Sequence, residues 1–166
     1  MSAATRTFAA GALLATGAVA AALVSQHVYD MQPCPWCVLQ RLIFVAIAAA
    51  CGIGLLWRAA TGRTVAATLA LALALSGVAA ALYQNRVAAK TESCAFTFPE
   101  RFIAALRLDA WLPDVFQARA SCIDAAVDLW GVPYEFYSLA LYAAIAAGAL
   151  ALLLAPNHRA PALSRT

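Results

Sequence analysis

Four stretches of this chain carry no Asp, Glu, Lys or Arg, and they limit its fold more than any other feature. They run Thr7–Tyr29, Leu42–Trp57, Thr64–Asn85 and Phe136–His158, with lengths of 23, 16, 22 and 23 residues. A helix rises about 1.5 Å per residue, so roughly 17–25 residues cross a ~30 Å hydrocarbon layer. Three stretches are long enough as they stand. The second is long enough if it begins near Val38 and takes in Arg41 close to its end. In lipid, backbone N–H and C=O groups must be satisfied within each separate segment, which leaves the helix as the spanning form. Composition points the same way. The residues AVILMFWYC make up 64% of the 166 positions and charged residues 11%, against roughly 45–50% and about 25% in soluble domains. A soluble fold of this size cannot bury so much apolar surface, and a chain this apolar is not disordered. A net charge of +3, from 11 basic and 8 acidic residues, makes no basic stripe, so no nucleic-acid partner is expected.

The expected architecture is an all-α integral membrane protein: one membrane domain over 1–166, a four-transmembrane-helix bundle in the lipid bilayer. Spans are expected at about 8–26, 38–57, 64–85 and 136–155. A short first loop (27–37) and a long third loop (86–135) fall on the same side. Arg6, Arg58, Arg63, Arg159 and Arg165 lie on the other side with no acidic residue. The loop side holds Arg41, Arg86, Lys90, Arg101, Arg107 and Arg119, and all eight acidic residues. Lys and Arg near span ends set orientation, and three of these six lie deep in the long loop. Both termini are therefore expected in the cytoplasm and both cysteine-bearing loops outside it. The start of the chain, with Arg6 and the small-residue run Ala18-Val19-Ala20, has some look of a signal peptide. Its uncharged stretch is long for one, and it is read as a retained span.

Of five cysteines, Cys34, Cys37, Cys94 and Cys122 fall in the outward loops and Cys51 in a span. Cysteines facing an oxidising compartment normally form disulfides. Cys34-Pro35-Trp36-Cys37 is a C-x-x-C motif, a small ring that opens and closes readily. At a helix start, free N–H groups and the dipole favour a thiolate, and Pro35 suits the first helical position. The competing reading is half a zinc site. Zinc usually needs a second close ligand pair, and of the two histidines, His27 and His158, the latter is expected across the membrane. No metal site is expected.

Arg41 follows Cys37 by four residues, one helical turn, so the two share a face. A guanidinium at a span's mouth is costly to bury and often functional. It would favour a Cys37 thiolate and could hydrogen-bond a carbonyl oxygen on a bound electron acceptor. The alternative is an interfacial arginine that snorkels to lipid headgroups. Cys94 and Cys122, 28 positions apart, admit two readings: a structural disulfide contributing about 3–4 kcal/mol, or a second redox pair. Cys51 lies 14 residues beyond Cys37, about 21 Å along a helix, and is read as packing. Within the long loop, Ile103, Leu106 and Phe102 are expected on one face of a short helix lying on the membrane surface or closing a small loop core.

These residues together resemble the disulfide bond formation protein B (DsbB) family of bacterial quinone-linked thiol oxidases, over nearly the whole chain. The resemblance rests on four spans, a C-x-x-C motif after the first, Gln40-Arg41 behind it, and a cysteine pair in a long third loop. It extends to Asp109-Ala110-Trp111-Leu112-Pro113-Asp114-Val115-Phe116 ahead of Cys122 and to Gly131-Val132-Pro133 before the last span. It implies a protein-dithiol:quinone oxidoreductase of the bacterial inner membrane. Cys94 and Cys122 would oxidise a periplasmic, thioredoxin-fold, DsbA-like dithiol oxidase, with Cys94 taking the mixed disulfide. Electrons would pass to Cys34 and Cys37, and Cys37 with Arg41 would meet ubiquinone or menaquinone from the membrane quinone pool. Some family members carry a histidine near the outer end of the third span. Here Gln84-Asn85-Arg86 stands there, and Asn85 or Arg86 could donate hydrogen bonds instead. Such a relay is energetically allowed only if the final acceptor is more oxidising than a DsbA-like partner near −120 mV, where ~30 mV corresponds to about 1.4 kcal/mol.

Three other readings compete. One is a thiol oxidoreductase dedicated to a single secreted client. Another is the vitamin K epoxide reductase family, whose C-x-x-C typically comes late in the bundle. The last is a non-catalytic tetraspan protein with structural disulfides.

Overall fold

The computed structural model describes residues 2–90 and 97–155. Four long helices form the body: α1 (Ala3–Val28), α2 (Pro35–Leu56), α3 (Ala60–Arg86) and, after the third loop, α7 (Tyr134–Leu154). All four are long and apolar enough to cross a membrane, and the protein is a multi-pass membrane protein. They pack in a ring, α1 on α2, α2 on α3, α3 on α7 and α7 back on α1. A cavity of about 320 Å³, lined in part by Phe8, Gly11, Cys51 and Gly148, opens between α1 and α7.

Lipid supplies no hydrophobic drive between helices, so close approach of small residues does the work. On α3 the buried face reads Ala66, Ala70, Ala74, Gly77, Ala81 and Gln84, spaced three or four apart. Gly77 lies under the ring of Tyr142, where a Cβ would sit 2.4 Å from ring carbon. Tyr142 is fully buried and stacks on Phe44 of α2 at 4.1 Å between centroids. Gly54 similarly gives way to Phe8 of α1. The core cluster includes Phe8, Phe44, Ile47, Tyr142 and Leu152.

The helix starts explain the loop geometry. α2 begins inside the C-x-x-C motif, with Cys34 as N-cap and Pro35 in the first turn, three residues before the expected Val38. Cys34 Sγ accepts the backbone N–H of Cys37 at 3.3 Å, the bond a Ser or Asp makes at ordinary caps.

The third loop holds α4 (Phe98–Ala105), α5 (Leu108–Trp111), α6 (Pro113–Phe116) and a hairpin, β1 (Asp128–Leu129) and β2 (Val132–Pro133). Thr97 and Glu100 form a capping box at the start of α4. Trp130 and Gly131, both at positive φ, make the two-residue hairpin turn that feeds α7. Ile103 of α4 is buried against Val38 and Phe116. Phe102 and Leu106 take a different side from Ile103: with Phe98 they line an apolar groove of about 650 Å³ over α2 and α3. Neighbouring positions of one short helix thus part, Ile103 fastening the loop and Phe98, Phe102 and Leu106 lining the groove.

Candidate active site

Among the described residues, the end of the bundle bearing the first and third loops gathers three of the four cysteine sulfurs. Cys34 and Cys37 Sγ are 2.7 Å apart, and the Cys34 thiol also contacts Cys122. Cys34 is completely buried and Cys122 nearly so, while Cys37 is half-buried. Cys34 is therefore the junction sulfur, touching one cysteine from its own motif and one from the long loop. Cys94 lies outside the described residues.

Backbone hydrogen bonds bring Cys122 there. The Pro33 carbonyl accepts N–H groups of Arg119 (2.9 Å) and Ala120 (3.3 Å), which ties the third loop to the first. Sharing a hydrogen bond separates the two thiols. The Cys34 thiol is pushed well above its ordinary range, first because it donates to Cys122, then through Cys37 and through burial. Cys122 is held below its ordinary range, chiefly by the hydrogen bond from Cys34 and also by the Trp36 backbone N–H, against an opposing effect of burial. In the reduced protein Cys122 is the better thiolate and Cys34 the sulfur that keeps its proton.

Arg41 is 5% exposed, so it does not snorkel to headgroups. Its guanidinium donates to Gln26 Oε1 (2.6 Å), to the Val115 carbonyl (3.1 Å) and to the Ala22 carbonyl (3.2 Å). Gln26 Nε2 donates in turn to the Asp114 carbonyl at 3.2 Å. Arg41 thus joins α1, α2 and α6 below the cysteines. A buried guanidinium with several hydrogen bonds is a rigid charge, unlike a flexible surface one.

On the α3 side, Gln84 Nε2 donates to Cys37 Sγ at 3.4 Å. Gln84 Oε1 accepts from Gln40 Nε2 at 2.7 Å, and both glutamines are buried. The Gln40 carbonyl accepts the Tyr142 hydroxyl at 2.8 Å. Asn85 Nδ2 donates to Glu135 Oε1 at 2.8 Å, and Glu135 is 5% exposed. Arg86 ends α3 and is exposed. Trp36, inside the C-x-x-C motif, stands against Tyr83 with centroids 4.6 Å apart.

The sequence pattern points to Arg41 and the loop cysteines but not to Gln26 or Gln84. The signal was present. A glutamine inside an uncharged span is costly unless it has a partner, and these two are the glutamines within the first and third uncharged stretches. Cys51 stands apart from the cluster, 3% exposed in the apolar core with Gly11 against its sulfur.

This arrangement can exchange disulfides. A Cys122 thiolate can attack Cys34 within a Cys34–Cys37 disulfide, forming one S–S bond as the other breaks and releasing Cys37 as thiolate. A neighbouring N–H donor, Gln84, then faces the released sulfur.

A family model described as disulfide bond formation protein DsbB matches residues 4–152. The chain is 35% identical over 151 residues to a disulfide bond formation protein B 2 of Burkholderia lata, covering 89% of this chain and 84% of the relative. It is 32% identical over 154 residues to a disulfide bond formation protein B of Dechloromonas aromatica, covering 89% and 90%. A Ralstonia nicotianae protein of the same name is 33% identical over 136 residues, covering 77% and 80%.

Proposed function

This chain belongs to the disulfide bond formation protein DsbB family of membrane disulfide-forming oxidoreductases, and we propose that it carries electrons from a periplasmic DsbA-like dithiol to membrane quinone. The observation that carries this reading is the position of Cys34 between Cys37 and Cys122. The bundle would sit as one domain in the bacterial inner membrane, termini in the cytoplasm and cysteine loops in the periplasm.

The partner thiolate attacks Cys94 of a Cys94–Cys122 disulfide, forming a mixed disulfide and freeing Cys122. Cys122 attacks Cys34, and Cys37 leaves as thiolate. The partner's second thiol then resolves the mixed disulfide, and the partner departs oxidised. Cys94 next attacks Cys122, which restores its own pair and leaves Cys34 and Cys37 as a dithiol. Reforming the Cys34–Cys37 bond releases two electrons and two protons.

The donor set at this end suits a quinone: Arg41 fixed by three hydrogen bonds, and Gln84 and Asn85 on α3, all among apolar helices. When bound, ubiquinone or menaquinone supplies the two-electron acceptor. Arg41 would orient a quinone carbonyl oxygen by a charge-assisted hydrogen bond, and Cys37 would present its sulfur to the ring.

The test is quinone reduction by the purified protein in detergent, supplied with a reduced thioredoxin-fold periplasmic protein. Turnover is expected in the native protein and loss of it in Cys37→Ser. Thiol oxidation without quinone reduction would point to another acceptor. No thiol oxidation at all would favour a tetraspan protein with structural disulfides.

A further inference from the structure

The buried pair Gln40 and Gln84 belongs to no step of the exchange itself, yet it ends on the sulfur that must leave as thiolate. We propose that these two side chains form an amide clamp on Cys37, with Gln84 as the donor to the sulfur and Gln40 as the positioning residue that fixes which end of the Gln84 amide faces it. The proposal rests on the reading of Cys37 as the electron-delivering cysteine and deepens it.

An amide in a low-dielectric interior must find partners for both of its ends. Gln84 Oε1 is taken by Gln40 Nε2 at 2.7 Å, so Gln84 Nε2 is left to point at Cys37 Sγ, 3.4 Å away. Turning the Gln84 amide alone would set NH₂ against NH₂ on one side and oxygen against sulfur on the other. The Tyr142 hydroxyl donates to the Gln40 backbone carbonyl and makes no bond to the Gln40 amide, so it lies beside the clamp and outside it.

A thiolate needs donors and a thiol needs an acceptor. The observed arrangement offers a donor, and hydrogen bonds to an ionised sulfur are stronger than neutral ones. The clamp therefore stabilises the reduced, thiolate form of the Cys34–Cys37 pair over its disulfide. A more stable reduced form makes the pair a stronger oxidant, which is the direction needed to accept electrons from an oxidising partner.

The test is the reduction potential of the Cys34–Cys37 pair in the full-length protein in detergent. It is equilibrated against thiol redox buffers in a Cys94→Ala, Cys122→Ala background. Gln84→Met keeps the side-chain length and removes the donor. It is expected to shift the dithiol–disulfide equilibrium tenfold toward disulfide, a fall of about 30 mV, and to slow iodoacetamide capture of Cys37 about tenfold at fixed pH. Gln40→Met should shift the potential in the same direction by less, and it carries the test if Gln84→Met does not fold. Tyr142→Phe, which loses a bond to a backbone carbonyl only, should leave the potential unchanged. An unchanged potential in the glutamine variants overturns the clamp. So does an equal shift in Tyr142→Phe, which would mean loosened packing. The measurement needs no quinone turnover. A shifted potential in a protein that fails to reduce quinone would break the relay and leave the clamp. Quinone reduction through Cys37 with no shift would do the reverse.

Discussion

Cys37 and Cys51 stand on the same helix, 14 residues apart, in opposite chemical settings. Around Cys37 are two other sulfurs, a glutamine N–H and, one turn on, a buried arginine. Around Cys51 are Gly11, the apolar core and a mostly apolar cavity between α1 and α7. One helix thus holds a sulfur equipped for exchange and one that only fills space. Side-chain identity does not separate them; neighbours supplied by the first loop, α3 and the third loop do.

The largest test of that contrast is Cys34→Ser. Removing the sulfur shared by both contacts should abolish oxidation of the partner beyond a first equivalent, as read by thiol titration over time. Multiple turnovers would show that Cys122 and Cys37 communicate without Cys34. Next is Arg41→Ala. Losing a charge-assisted hydrogen bond, on the order of 1.5–3 kcal/mol, should raise KM for quinone roughly tenfold or more, with a smaller effect on KM for the partner. An unchanged quinone KM would reduce Arg41 to a brace for α1 and α6.

A smaller effect concerns the order of alkylation in the fully reduced protein near neutral pH. Cys122, held below the ordinary thiol range, keeps thiolate as pH falls, whereas Cys34, pushed above it, stays protonated as pH rises. Brief iodoacetamide treatment followed by peptide mapping should label Cys122 severalfold ahead of Cys34. The reverse order would place the thiolate on the wrong side of the shared hydrogen bond. The smallest effect belongs to Cys51→Ala, which should keep turnover within about twofold, since a buried apolar thiol is ordinarily inert. A collapse of turnover would erase the contrast.

Much of this was readable in the chain. Absence of charge over four stretches specifies four helices, because lipid tolerates few alternatives. The C-x-x-C spacing and Arg41 one turn later are local relations, and local relations survive in sequence. Two features were not readable. Cys122 reaches Cys34 because the Arg119 and Ala120 N–H groups bond the Pro33 carbonyl, and backbone bonds between distant loops leave no side-chain signature. Gln84 meets Cys37 through the packing of α3 on α2, set by small residues such as Ala80 and Ala81 whose register the low-contrast, Ala-rich sequence does not disclose. Ile103 and Phe102 differ likewise: their separation follows from where α6 places Phe116, not from the pattern of α4.

Cys34 is the junction between two cysteine pairs in the proposed relay, and trapping that junction is its most direct test. In Cys37→Ala, Cys34 has lost its partner within the motif. With no partner added, the Cys34 thiolate can attack Cys122 of the Cys94–Cys122 disulfide and expel Cys94 as thiolate, so trapping the free thiols of the oxidised protein with iodoacetamide and mass mapping the linked peptides should yield a Cys34–Cys122 disulfide with Cys94 alkylated. Recovery of Cys34 as a free thiol, with Cys122 linked to Cys94 alone, would contradict the relay through Cys34.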